Sequence, residues 1–145
     1  MNPYFERKIL DADPIDLVRL LHQHAIACVK EARGHLAAGR IAPRAKAITR
    51  AYAVMAELNN ALRPEVSPEL TNQLRSLYLF VQQQLLEANA QQADKPLADA
   101  LGVLATLLEG WNGVAEAAAA RAEEAVARNY APANLNHVVR LTVSA

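Results

Sequence analysis

Apolar residues recur at helical spacing in four stretches of the chain, and no alternating pattern of strand type runs longer than a few residues. The clearest stretch is 70–89, LTNQLRSLYLFVQQQLLEAN, which holds no glycine and no proline. At 100° per residue, Leu70, Leu74, Leu77, Val81, Leu85 and Ala88 share one face, with Tyr78 at its edge. Leu79, Leu86 and Ala90 gather on the opposite side. A helix with one wide apolar face and a second narrow stripe needs more than one neighbour. That second neighbour belongs either to this chain or to another molecule.

The other three stretches carry their own start and stop signals. Asp13 and Pro14 predict an N-cap and first turn, and Leu17, Leu21, Ala25, Cys28, Val29, Ala32 and Leu36 then share a face. This helix should end near Ala38, with Gly39 just beyond it. A second helix is expected over 43–62, centred on Ile48, Ala51, Met55, Leu58 and Leu62 and flanked by Tyr52 and Val54. Arg63-Pro64 stops it, because the residue before a proline disfavours the helical region. Ser67-Pro68-Glu69 caps the 70–89 helix. Asp94-Lys95-Pro96 separates it from a fourth, whose broad face runs from Leu97 through Leu101, Leu104, Leu107, Leu108, Trp111 and Val114 to Val126. Gly102, Gly110 and Gly113 fall opposite that face. Each costs about 1 kcal/mol relative to alanine in a helix interior. Either they weaken the helix near Trp111 or they leave room for another backbone.

Four helices with short connections predict an all-α fold, an antiparallel four-helix bundle over 1–128. Residues 1–12 carry Tyr4, Phe5, Ile9 and Leu10 among charges, which argues that the segment docks somewhere. Residues 129–145 break the helical pattern and end in the apolar HVVRLTVSA, read as a flexible or weakly docked tail that could also fold back into a groove.

Composition agrees with a helical reading. Of 145 residues, 52% are apolar, much of that alanine, and only 5% are aromatic. Fifteen basic and fifteen acidic side chains balance, which excludes an overall basic field for nucleic acid. The small group Lys8, Arg44, Lys46 and Arg50 reads as a solvated face. A single cysteine, Cys28, allows no internal disulfide and fits a reducing compartment. It falls mid-face and reads as a buried structural thiol. The polar start predicts no secretory signal peptide, and no apolar run is long enough for a membrane span, so the expected place is the cytoplasm.

Candidate chemistry is sparse. His22 and His24 point apart on a helix, and His24 and His35 lie about 16 Å apart along the axis. Neither pair can share a metal. No phosphate loop or nucleophile–base arrangement is visible. Catalytic, cofactor-binding and metal residues are therefore expected to be none. What stands out is surplus apolar surface, which usually marks a partner site. Grooves between bundle helices accept amphipathic segments.

Several short motifs then fall in a telling order. They are Asn2-Pro3-Tyr4; Ala12-Asp13-Pro14 with Leu17; Gly39-Arg40-Ile41-Ala42 followed by Ala47-Ile48, Arg50-Ala51 and Glu57-Leu58; Leu77-Tyr78; Leu86-Glu87-Ala88-Asn89; and Trp111. Together they resemble the flagellin export chaperones, the FliS family, over residues 2–114. The chain departs from the family pattern at His22 and His24, where an aromatic and a glycine are usual, and at Leu79, where an acid is usual. The resemblance implies a cytoplasmic chaperone that binds the disordered C-terminal segment of flagellin, blocks early polymerisation and delivers the client to the flagellar type III export gate. A co-chaperone or regulator is a further candidate partner. It also implies an N-terminal cap that yields to client, for which Tyr4 and Ile9 are the candidates. Candidate groove residues are Leu20, Leu21, His22, Ile48, Tyr52, Met55, Leu79 and Leu86. The alternative is a self-associating helical adaptor that uses the Leu79/Leu86 face.

Overall fold

The computed structural model describes Pro3 and residues 14–129 of the chain. Four helices follow one another: α1 (Pro14–Ala37), α2 (Ile41–Asn60), α3 (Pro68–Gln91) and α4 (Asp94–Asn129), with no strand among the described residues. Compact units divide the chain between Trp111 and Asn112. The first contains α1, α2, α3 and the start of α4. In the second, Asn112 to Asn129 continues as helix.

Local chemistry sets each boundary. Helix α1 opens on Pro14, whose missing N–H costs nothing in a first turn. It closes in a Schellman turn: Arg40 N–H donates to His35 O at 2.9 Å and Gly39 N–H to Leu36 O at 3.2 Å. Gly39 takes a φ of 71°, which a side chain would strain. That tight reversal lets α2 begin at Ile41, two residues before the expected start. Pro43 then sits third in the helix, still among positions that lack an intrahelical acceptor. Ser67 caps α3 by accepting from Leu70 N–H at 3.4 Å, with Pro68 first in the helix. Gln92 ends α3 in the left-handed region at φ 52°. Asp94, Lys95 and Pro96 form the first turn of α4 itself, where Asp94 suits the positive end of the dipole.

Cross-links show the antiparallel order. Arg50 of α2 pairs with Glu31 of α1. Gln82 of α3 donates to the Tyr52 carbonyl of α2 at 3.5 Å. Arg33 near the end of α1 makes a two-pronged pair with Asp94 at the start of α4, at 2.8 and 2.9 Å. The two exposed ion pairs among them fix register more than stability.

Burial supplies the stability. Ala25 and Ala32 of α1 and Ala47 and Ala51 of α2 are fully buried, and such small side chains let two axes approach closely. Around that seam pack Val29, Met55, Leu58, Val81, Leu85, Leu97, Ala100 and Leu104. Cys28 is buried among them.

Two expectations about faces are corrected. Tyr78 lies at the centre of the α3 seam, 1% exposed, while Leu70 and Leu77 are 50% and 38% exposed. Of the buried positions, Thr71, Leu74, Tyr78, Val81, Leu85 and Ala88 are spaced alternately three and four apart, with buried Gln82 beside them. A straight 100° wheel drifts from that seam by about 20° per heptad. Arg44 belongs to no solvated basic face either: it is 5% exposed, and its Nε has no hydrogen-bond partner. Its stem lies against the bundle from the first turn of α2.

Neighbouring leucines test this register. Leu85 is fully buried and Leu86 is 57% exposed. Leu85→Ala should cost about 3 kcal/mol in urea unfolding, and Leu86→Ala less than about 0.5 kcal/mol. Similar losses at both positions would show that α3 faces another way.

Candidate docking surface

Helix α3 leaves large apolar side chains open on both flanks of its buried seam. On the flank toward α2, Leu79, Gln82 and Leu86 are spaced i, i+3, i+7 and share one stripe. Because Gln82 reaches the carbonyl of Tyr52, that stripe borders α2 near Tyr52. Tyr52 is 36% exposed and Leu79 51%. The other flank, toward α4, carries Leu77 and Phe80. With Ala98, Gly102, Val103, Thr106 and Leu107 they line a cleft of about 490 Å³. No atom stands within 4 Å of where a Cβ would project from Gly102, Gly110 or Gly113. Their open faces meet no backbone within the described residues, and α4 remains helical through all three.

Two more depressions lie on the first unit. One, about 260 Å³, lies beneath the α2–α3 connection. It is walled almost wholly by apolar groups, including Val18, Leu58, Leu62, Val66, Leu70, Leu74 and Trp111. The other, about 680 Å³, runs along α1 and α2 over Leu21, Ala27, Cys28, Ala53 and Val54, with Glu31, Arg50 and Glu57 on its rim.

The candidate groove residues scatter in this geometry. Tyr52, Leu79 and Leu86 come together on the α2–α3 flank. Leu21 opens instead onto the α1–α2 depression, and Leu20 is half-buried on α1. Ile48, Met55 and His22 are interior, at 3%, 0% and 0% exposure, so they support the surface from beneath and do not line it. Tyr4 and Ile9 lie outside the described residues. The Leu77–Phe80 cleft is hidden from a straight 100° wheel, which turns Leu77 inward. The three–four spacing around Tyr78 is the signal that would have turned it out.

His22 forms a polar contact inside the core. Its Nδ1 stands 2.8 Å from the Val18 carbonyl, and its Nε2 stands 3.5 Å from the Tyr78 hydroxyl. Burial holds its pKa below the ordinary value, the Val18 carbonyl opposing the shift. Burial also pushes the Tyr78 hydroxyl up to about 12, with Trp111 pulling the other way.

The cysteine and its histidine neighbour are no catalytic pair. Cys28 Sγ lies 3.8 Å from His24 Nε2. Burial raises the thiol, outweighing Arg50, while burial and Arg50 together lower His24. The stable pair is therefore thiol and neutral imidazole, the wrong charge state for a nucleophile. Among the described residues, no three His, Cys, Asp or Glu side chains converge as metal ligands. No helix among them is long and apolar enough to cross a membrane.

A helical bundle with apolar clefts between its helices belongs to the class of folds that can accept an amphipathic partner segment. A family model described as "Flagellar protein FliS" matches residues 1–119. The chain belongs to the FliS family. It is 29% identical over 109 residues to the flagellar secretion chaperone FliSB of Pseudomonas aeruginosa, covering 75% of this chain and 86% of that protein. It is 24% identical over 110 residues to the flagellar secretion chaperone FliS of Salmonella typhimurium, covering 75% and 82%. A solved bacterial flagellar chaperone superimposes with a TM-score of 0.68 at 18% identity, over 78% of this chain and 95% of that one. The four-helix fold expected from the sequence is therefore the fold of the family.

Two measurements probe the clefts. Gly102→Ala meets open space in a helix interior, so it should raise stability by about 0.5–1 kcal/mol in urea unfolding. A loss would mean that something packs there. Cys28 in the folded protein should react with a thiol reagent at pH 8 at least about tenfold more slowly than in urea; equal rates would contradict its burial.

Proposed function

We propose that this chain is a cytoplasmic export chaperone that binds the disordered C-terminal segment of flagellin and carries out no catalysis. It keeps that segment from polymerising early and hands it to a component of the flagellar type III export gate. A co-chaperone or regulator would dock on surface left free by the client. The observation that carries this reading is the pair of open apolar flanks on α3 in a member of the FliS family whose relatives are named flagellar secretion chaperones.

The physics suits such a client. A disordered segment loses ordering entropy when it binds, so it needs a long apolar surface to wrap. Tyr52, Leu79 and Leu86 on one flank and Leu77 and Phe80 on the other supply anchors roughly a helix apart. Residues 1–12 act as the cap, with Tyr4 and Ile9 as its apolar anchors, and yield when client arrives. The bundle over 1–128 is the chaperone body, and 129–145 is an accessory tail.

Titration calorimetry with the C-terminal segment of the same organism's flagellin tests the proposal. Binding should carry a negative heat-capacity change. Burying the open halves of Leu79 and Leu86 is worth about 2 kcal/mol together, so the double substitution Leu79→Glu, Leu86→Glu should weaken binding at least about thirtyfold. Its unfolding midpoint should stay unchanged, since both side chains are solvent-exposed. No heat at high micromolar peptide, together with a stable dimer through the Leu79/Leu86 face in light scattering, would favour a self-associating adaptor instead.

A further inference from the structure

The interior contact of His22 has a consequence beyond client binding. His22 is fully buried on α1 and meets two other helices: its ring lies 5.7 Å from that of Tyr78 on α3 and 6.4 Å from that of Trp111 on α4, tilted by 54° and 47°. A carbonyl only accepts, so the Nδ1 that faces Val18 O carries the proton. Nε2 is left with a lone pair turned to the Tyr78 O–H. Val18, Tyr78 and Trp111 also wall the 260 Å³ apolar cavity beneath the α2–α3 connection.

We propose that the His22–Tyr78 contact is an acid-released latch that holds α1, α3 and α4 together beside this cavity.

Beyond the Val18 carbonyl, the described surroundings offer a protonated ring no counter-charge. From α3 it faces the neutral Tyr78 hydroxyl, and from α4 the Trp111 indole. The α2 side chains at the cavity, Leu58 and Leu62, are apolar, and the one charged residue on its wall is Arg63, a cation. On α1 itself, Asp16 and Arg19 pair with each other at 3.1 Å. No carboxylate among the described residues lines the cavity. Protonation would bury a positive charge with no counter-charge among the described residues and remove the Nε2 lone pair that accepts the Tyr78 O–H. Burial accordingly holds this histidine below its ordinary 6.5. Because its pKa is lower in the fold, the open state takes the proton first. The latch is intact above about pH 6.5, loosens as pH falls below that value, and changes no further once pH passes the folded pKa.

Trp111 is the only tryptophan, so its emission reports this spot alone. Between pH 7.5 and 5, wild-type emission should shift to the red while helicity is retained. The folding equilibrium should fall by up to about tenfold per pH unit. His22→Gln and His22→Phe, one polar and one apolar and neither titrating, should hold the Trp111 emission steady over the same range. His24→Gln should leave the red shift in place. A red shift that persists in the His22 variant that folds, or its absence in the wild type, would overturn the latch.

Discussion

Tyr78 decides which way α3 faces, and the rest of the fold follows. It is the largest fully buried side chain among the described residues; it faces His22 of α1 and shares a cavity wall with Leu58 of α2 and Trp111 of α4. Turning α3 by one residue would bring Tyr78 out and Leu77 or Leu79 in, exchanging a large buried aromatic for a smaller aliphatic and leaving a void. Filling that volume with a hydroxyl-bearing ring demands an acceptor inside the core. The imidazole of His22, at 3.5 Å, supplies one. Burying Tyr78 therefore goes together with burying His22, the one buried histidine among the described residues.

The same constraint explains the surface. A helix whose seam runs through Thr71, Leu74, Tyr78, Val81, Leu85 and Ala88 has two flanks outside that seam, and in this chain both carry large apolar residues. Thus α3 is at once the centre of the core and the most apolar exposed element. Its neighbours reinforce this double role. The α1–α2 pair, closely packed on buried alanines, forms the base. Beside α3, Gly102 keeps the α4 side of the cleft open, at a helix-propensity cost of about 1 kcal/mol. In a chain under no demand for an open cleft, alanine would serve better there.

How much of this is legible in the sequence depends on the range of the signal. The four helices and their ends rest on local chemistry: Pro14, Gly39, Ser67-Pro68 and Gln92 act within a turn, and the first three are readable as written. The bundle follows from periodicity alone. The facing of α3 is only partly readable, because a wheel with a fixed 100° step treats Leu70, Leu77 and Tyr78 as near equals, whereas packing against three helices selects the tyrosine. The groove is least readable. Ile48 and Met55 share the apolar character of Tyr52 and Leu86, the polar His22 is buried beside them, and only the identity of the neighbour across the seam separates wall from interior. Arg44 shows the same limit from the polar side: charge predicts exposure, but a long aliphatic stem in the first turn of α2 lies under the bundle.

The central claim is that both flanks of α3 form the surface on which client is held. It is tested most directly by methyl NMR of leucine-labelled protein titrated with the C-terminal segment of flagellin. The account predicts that Leu77, Leu79 and Leu86 shift together while Leu85, Leu97 and Leu104 stay within the noise. Perturbation confined to the buried leucines, or none at all at saturating peptide, would contradict it.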